Sequence, residues 1–189
     1  MELVLLHGFD SNPGALLGVA AAVRARFPSV LVRLLAGPVR LPSGTFAWWN
    51  DDPSASTFTT TPADALAWIT PRLRGGPVVV AGMSQGGALA LAVASARLEN
   101  VVGVASVGGF APDNLPLVGT STPLFIAHGE SDEIVDVFHA ESLARTARRL
   151  GISTTLDLHP GGHAWTEEVT EAFLPWMATV LPPPALRTP

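Results

Sequence analysis

Pro77-Val78-Val79-Val80-Ala81-Gly82-Met83-Ser84-Gln85-Gly86-Gly87-Ala88-Leu89-Ala90-Leu91 is the stretch on which the rest of this chain turns. An apolar, β-branched run stops at a glycine, one serine follows, and two further glycines open a run of small apolar residues. The run before the glycine suits a strand buried on both faces. The run after it suits a buried helix of low bulk. Gly-x-Ser-x-Gly between such a strand and such a helix is the layout of a nucleophile elbow. The spacing has a steric cause. A serine held on so sharp a turn has a strained backbone, and a β-carbon two residues to either side would collide across the turn. Gly82 and Gly86 remove those β-carbons and let strand and helix approach closely.

Composition narrows what such a serine could do. The chain has 189 residues, 48% of them hydrophobic and 14% charged, enough to bury a sizeable core as one domain over residues 1–181. All eleven cationic residues are arginine, which removes lysine Schiff bases and Walker-type phosphate grips. Cysteine is absent, so disulfides, thiolate metal sites and a cysteine nucleophile are excluded. A net charge of −5 argues against nucleic-acid or anionic-membrane partners. The first residues, Met1-Glu2-Leu3-Val4-Leu5-Leu6-His7, lack a basic segment, and their apolar run is too short for a signal peptide. A cytoplasmic location, with no stable membrane association, is expected. Nothing in the sequence chooses between a monomer and a homodimer. Residues 182–189, opening on three prolines, read as a tail.

Working outward from the elbow, apolar runs at 3–6, 29–35, 101–107, 123–127 and 153–158 add five strands. Helical patterns separate most of them: one opened by Pro13 and running to about Phe27, one over 63–73, the elbow helix, one over 137–150 closed by Gly151, and a last one ending near Leu181. Alternation of this kind predicts a parallel sheet with helices on both faces. Right-handed crossovers with one reversal give the order 2-1-3-4-5-6, which puts strand 3–6 beside the elbow strand. The pattern breaks over residues 36–62, a long Pro- and Ser/Thr-rich loop around Phe46-Ala47-Trp48-Trp49-Asn50.

Each group able to do chemistry follows the C-terminal end of a predicted strand, the edge where open parallel sheets bind ligands. Serine needs a base within hydrogen-bond reach, and the base needs an orienting partner. His163, on a glycine-rich loop after the last strand, is the expected base. Asp132, after the fifth strand, is the expected acid, with Glu130 on the same loop as its rival. Backbone N–H groups of Gln85 and Phe9 are the expected oxyanion hole. His7 is expected to shape the oxyanion loop, and His128 to act as a hydrogen bonder at a strand end. No metal-ligand spacing such as His-Glu-x-x-His occurs, and no metal or other cofactor is expected.

With those residues in place, the chain resembles the α/β-hydrolase superfamily, and within it the phospholipase/carboxylesterase family that includes acyl-protein thioesterases and small carboxylesterases. Leu6-His7-Gly8 resembles the family's first oxyanion motif, and Gly82-Met83-Ser84-Gln85-Gly86-Gly87 its elbow. Trp48-Trp49-Asn50 resembles a Trp-Phe-Asp element before the elbow. Ser106 through Pro112 resembles a Ser-Gly-x-x-Pro turn. His128-Gly129-Glu130-Ser131-Asp132 and Gly162-His163 resemble the acid and histidine loops. Glu133 departs from the family's proline after the acid. The resemblance implies a three-layer α/β-hydrolase fold with a minimal sheet of about six strands and no separate cap domain. It also implies hydrolysis of an ester or thioester through an acyl-serine.

The leading expectation is therefore a serine carboxylesterase for a small-molecule ester of short or medium acyl chain. A thioesterase or lysophospholipase for longer chains is the alternative within the class, and a non-catalytic ligand receptor or partner-binding protein the alternative outside it. For want of a cap, residues 36–62 and 110–122 are the material expected for cleft walls, with Trp48 or Trp49 on one side and Phe110 or Leu115 on the other.

Overall fold

Leu3, Val4, Leu5 and Leu6 are all buried, which a strand achieves only when both its faces are covered. They form β1 (Glu2–Leu6), and β1 lies inside the sheet. The computed structural model describes residues 1–50, 60–73, 75–112 and 115–181. The tail expected at 182–189 and part of the loop expected over 36–62 lie outside these.

Six parallel strands make the main sheet. With β1 they are β2 (Leu31–Leu35), β5 (Val78–Met83), β6 (Val101–Val107), β7 (Leu124–Gly129) and β8 (Thr154–His159), in the order β2-β1-β5-β6-β7-β8. This is the expected order. One feature was not anticipated: β3 (Val39–Arg40) and β4 (Phe46–Ala47) pair antiparallel inside the long loop. Two residues per strand are too few to write a period-two pattern.

Alternation along the strands divides the core into two layers. Leu3, Leu5, Val79 and Ala81 face α1 (Leu17–Arg26) and α5 (Glu167–Val180), meeting Val19, Val23, Phe173 and Met177. Val4, Leu6, Val78 and Val80 face α2 (Pro62–Ile69), α3 (Gln85–Ser95) and α4 (Phe138–Arg149). α3 is buried from Gln85 to Ala94, its small side chains letting it sit close against the sheet.

Local chemistry sets the helix ends. Asn12 accepts a bond from the Gly14 N–H at 2.8 Å and caps the 3₁₀ turn Pro13–Leu16, which leads into α1. Thr61 and Asp64 form a reciprocal capping box on α2. α2 ends at Ile69 and continues as a 3₁₀ turn over Thr70–Leu73, instead of running as one α-helix over 63–73. Pro71 is the cause: Thr70 still has α geometry and donates its N–H to the Leu66 carbonyl, but Pro71 has no N–H with which to continue the ladder.

Candidate active site

Ser84 joins β5 to α3 with φ 55° and ψ −119°, a left-handed-side conformation that side-chain-bearing residues seldom adopt. Its N–H donates to the Val107 carbonyl at 2.9 Å, tying the turn to β6. The two flanking glycines are there for space. A β-carbon on Gly82 would lie 2.2 Å from the Gly86 backbone, and one on Gly86 would lie 2.3 Å from the Leu6 carbonyl oxygen. Gln85 begins α3, in the turn whose N–H groups have no partner within the helix.

The acid and histidine loops meet beyond β7 and β8. Glu130 N–H donates to the His159 carbonyl at 2.7 Å and Ser131 N–H to that of Gly161 at 3.1 Å. A β-carbon on Gly129 would lie 2.2 Å from the Gly161 oxygen, so the loops touch backbone to backbone. His163 Nδ1 donates to Asp132 Oδ2 at 2.7 Å, which points its other ring nitrogen, Nε2, away from the carboxylate. Asp132 Oδ1 accepts the N–H groups of Ile134 and Val135, both at 2.9 Å. Burial of this carboxyl works to raise its pKa, but the Val135 N–H, His163 and the Ile134 N–H outweigh it and hold the pKa below the ordinary value. The rival Glu130 is exposed, and Asp136 accepts the Phe138 N–H at the start of α4. His128 is fully buried. Its Nε2 lies 2.7 Å from the Val135 carbonyl oxygen and 3.2 Å from Asp132 Oδ2, so Asp132 has two histidine neighbours. The strand-end role expected for His128 did not include this second contact, although the four-residue spacing to Asp132 hints at it.

The loop after β1 is held by an internal network. His7 is buried, its Nδ1 donating to the Gly8 carbonyl at 2.7 Å while Nε2 accepts the Gly37 N–H at 3.0 Å. That pair of roles fits only the neutral ring protonated at Nδ1. Burial lowers the His7 pKa, against a smaller opposing effect of the Gly8 bond. The Gly8 carbonyl shares its peptide plane with the Phe9 N–H, so a bond to one fixes the direction of the other. Ser11 and Phe46 exchange backbone bonds at 3.2 and 2.7 Å, tying this loop to β4.

Trp48 belongs to that network and not to a cleft wall. It is wholly buried, its indole N–H donates to the His7 carbonyl at 2.7 Å, and its backbone N–H donates to Gln85 Oε1 at 2.9 Å. Gln85 Nε2 in turn donates to the Trp49 carbonyl at 2.8 Å. The side chain of Gln85 thus behaves as one more peptide group, holding residues 48 and 49 under the elbow.

Ser84 and His163 line one cavity of about 340 Å³, together with Phe9, Leu16, Met83 and Trp165. The four expected wall residues do not line it, and this corrects the expectation. Trp48, Trp49, Phe110 and Leu115 all pack with the layer on the α3 face, whereas the cavity opens on the α1 and α5 face. Trp48 and Trp49 follow the correct edge of the sheet but are held over the opposite side by Gln85 and His7, and Phe110 and Leu115 pack against the same layer. The observed walls had a weak signal in the sequence: Met83 precedes the elbow serine, and Trp165 stands two residues after His163. Among the described residues, no group of three or more His, Cys, Asp or Glu side chains is placed to hold a metal ion. Nor is any helix among them long and apolar enough to cross a membrane.

Known proteins bear on this arrangement. The fold is similar to that of esterase PE8 (TM-score 0.78, 20% identity, 95% of this chain and 92% of that one). It is also similar to the carboxylesterase of Bacillus cereus (TM-score 0.75, 21% identity, 95% and 88%). In sequence, 99 residues are 30% identical to acyl-protein thioesterase 1 of Debaryomyces hansenii; the match spans 48% of this chain and less than half, 43%, of the thioesterase. The family model described as Phospholipase/Carboxylesterase matches residues 2–180. The six-stranded parallel sheet, the serine elbow between β5 and α3, and that match together show that the chain has the α/β-hydrolase fold and belongs to the phospholipase/carboxylesterase family.

Proposed function

We propose that the protein is a serine hydrolase that cleaves carboxylic esters of short or medium acyl chain, with Ser84 as nucleophile, His163 as base and Asp132 as orienting acid. The observation that carries this reading is the 2.7 Å bond from His163 Nδ1 to a buried, charged Asp132, with His163 and Ser84 lining the same cavity. The bond selects the tautomer with an unprotonated Nε2, the form able to take a proton from Ser84 Oγ. Oγ attacks the acyl carbon, and the charge that develops on the carbonyl oxygen is met by the N–H groups of Gln85 and Phe9. His163 then gives its proton to the leaving oxygen, the alcohol departs, and water repeats the sequence on the acyl-serine. The His7 bond to the Gly8 carbonyl holds the Phe9 N–H ready before substrate arrives. The 30% identity to an acyl-protein thioesterase favours one second reading, that the same groups cleave a thioester.

Labelling with a fluorophosphonate, followed by mass mapping, tests the nucleophile: the modification is expected on Ser84. A label elsewhere, or a folded Ser84→Ala protein that hydrolyses p-nitrophenyl acetate like the wild type, sinks the reading. Asp132→Asn is expected to lower kcat on the order of 10³–10⁴-fold, because the imidazole loses the partner that fixes its tautomer. A larger loss from Glu130→Gln would reassign the acid. Matched oxygen and thioester substrates of one acyl group decide between ester and thioester.

A further inference from the structure

A second cavity, of about 310 Å³, shares Ala15 and Trp165 with the one at Ser84. It runs between α1 and α5, past Gly18 and Ala22 on one side and Glu167 and Thr170 on the other. Ala15, Gly18, Val19 and Ala22 line it from the chain segment that leads into and forms α1, and all but Val19 are alanine or glycine. Gly18 is the most telling of them. A β-carbon there would meet nothing within 4 Å, and its backbone is ordinary helix, so no close approach or turn requires glycine. A glycine inside a helix lowers stability relative to alanine. Gly18 is exposed at the mouth of the groove, so a larger side chain there has space to lie over it.

The chemistry at His163 says which half of an ester this groove suits. The leaving oxygen receives its proton from the histidine, so the alcohol half of the substrate starts at His163 Nε2. Ala164 and Trp165 follow His163 in the chain and line the Ser84 cavity, and Trp165 is also a wall of the second one. The way out from His163 therefore leads along Trp165 between the two helices. Charge narrows the alcohol further. Glu167 stands exposed on the rim, and no arginine lines either cavity among the described residues. A phosphate-bearing alcohol would find an acid there and no counter-charge.

We infer that the groove between α1 and α5 binds the alcohol half of the ester, and that this alcohol is several carbons long and uncharged or cationic. The inference rests on the esterase reading above. It gives the enzyme a selectivity set by the leaving group, with the acyl half held apart from this groove.

Two ester series test it, one from ethyl acetate to octyl acetate and one from ethyl acetate to ethyl octanoate, on the wild type and on Gly18→Ala, Gly18→Leu and Gly18→Phe. In the wild type kcat/KM is expected to rise along the alcohol series, by up to about fourfold for each methylene that becomes buried. Gly18→Phe fills the groove, and the ratio of kcat/KM for octyl acetate over ethyl acetate is expected to fall at least tenfold. Gly18→Leu falls in between and Gly18→Ala keeps most of the ratio, so the graded series stands even where the phenylalanine variant fails to fold. The ratio of ethyl octanoate over ethyl acetate keeps its wild-type value throughout. An octyl acetate ratio that survives in folded leucine and phenylalanine variants overturns the inference, and so does a loss confined to the acyl series. A trimethylammonio-butyl acetate is expected to outpace a sulfobutyl acetate, with Glu167→Gln narrowing the gap; the reverse preference overturns the charge assignment. Failure of the esterase reading itself would register separately, as a fluorophosphonate label away from Ser84.

Discussion

Trp48 and Trp165 lie on opposite sides of the same sheet, each within reach of the elbow loops, and the protein uses them in opposite ways. Trp48 has both of its N–H groups engaged, the indole on the His7 carbonyl and the backbone on Gln85, and its ring lies against those of His7 and Trp68. Trp165 meets Phe173 edge to face at 5.5 Å and lines two cavities, and its indole N–H has no hydrogen-bond partner among the described residues. The difference extends beyond the two rings. Of the four buried polar side-chain atoms without partners among the described residues, three belong to Asp157, His159 and Trp165, between the end of β8 and the start of α5. An aromatic residue near the candidate site is thus scaffold or wall according to whether its N–H groups are already engaged. Size and neighbourhood in the sequence do not decide it.

The contrast breaks most visibly under truncation. Trp48→Ala removes a large, fully buried ring and leaves the His7 carbonyl unpaired, so unfolding in urea should show a loss of about 3–5 kcal/mol. Trp165→Ala, on a partly exposed ring, should lose less than half of that while altering selectivity along the alcohol series. Equal losses would erase the distinction. Gln85→Ala comes next, at about 1–3 kcal/mol, since it strands the buried Trp48 N–H and Trp49 carbonyl together. The elbow serine would then rest on a loosened floor, and kcat should fall more than KM rises.

A third test uses acid. His7 is held neutral in the folded protein, with its pKa lowered from 6.5 by burial, so protonation favours the unfolded chain. Its contribution is intact above pH 6.5 and is lost as the pH falls below that value, by at most about 1.4 kcal/mol for each pH unit. Urea midpoints at pH 7.5, 6.5 and 5.5 should show a steeper acid decline for the wild type than for His7→Gln. Parallel declines would show that the Gly37 and Gly8 bonds do not require the neutral ring. The smallest effect belongs to the other side of the sheet. Burial raises the pKa of Asp157, with His159 acting against that and Glu168 adding to it. The charged form is therefore penalised by folding. Asp157→Asn should stabilise the protein at neutral pH, by less than about 1 kcal/mol given solvent screening, and the gain should fade as the pH falls through the acid range.

What the sequence made legible follows the range of the interactions involved. The six strands were readable because a buried parallel strand announces itself in a few consecutive apolar residues. Their order came from the handedness of the crossovers. The elbow was readable because the collision between Gly82 and Gly86 spans four residues. The partners Asp132 and His163 stand at the ends of strands, where open sheets gather their chemistry, and the structure brings them to 2.7 Å. The walls were not readable. Which face the Trp48 loop crosses is decided by bonds from Gln85 and His7 to residues 30 to 41 positions away, and a side chain–backbone bond of that span leaves no local periodicity behind. Likewise, the emptiness beside Gly18 is a property of two helices packed together, and a lone glycine in an apolar stretch does not disclose it.

At the elbow, peptide touches peptide: Gly86 lies against the carbonyls of Leu6 and His7, and Gly82 against Gly86. The coordinates of the serine are therefore set by main-chain surfaces, which have the same dimensions in every protein. Exchange of Val for Ile or Leu for Met in the layers around it shifts side-chain volume without reaching that contact. Drift in the core is buffered, and the Ser84 side chain keeps its address through it. The converse is equally strict. A single methyl group at either glycine has nowhere to go, so these two positions can tolerate no divergence while their neighbours remain free to wander.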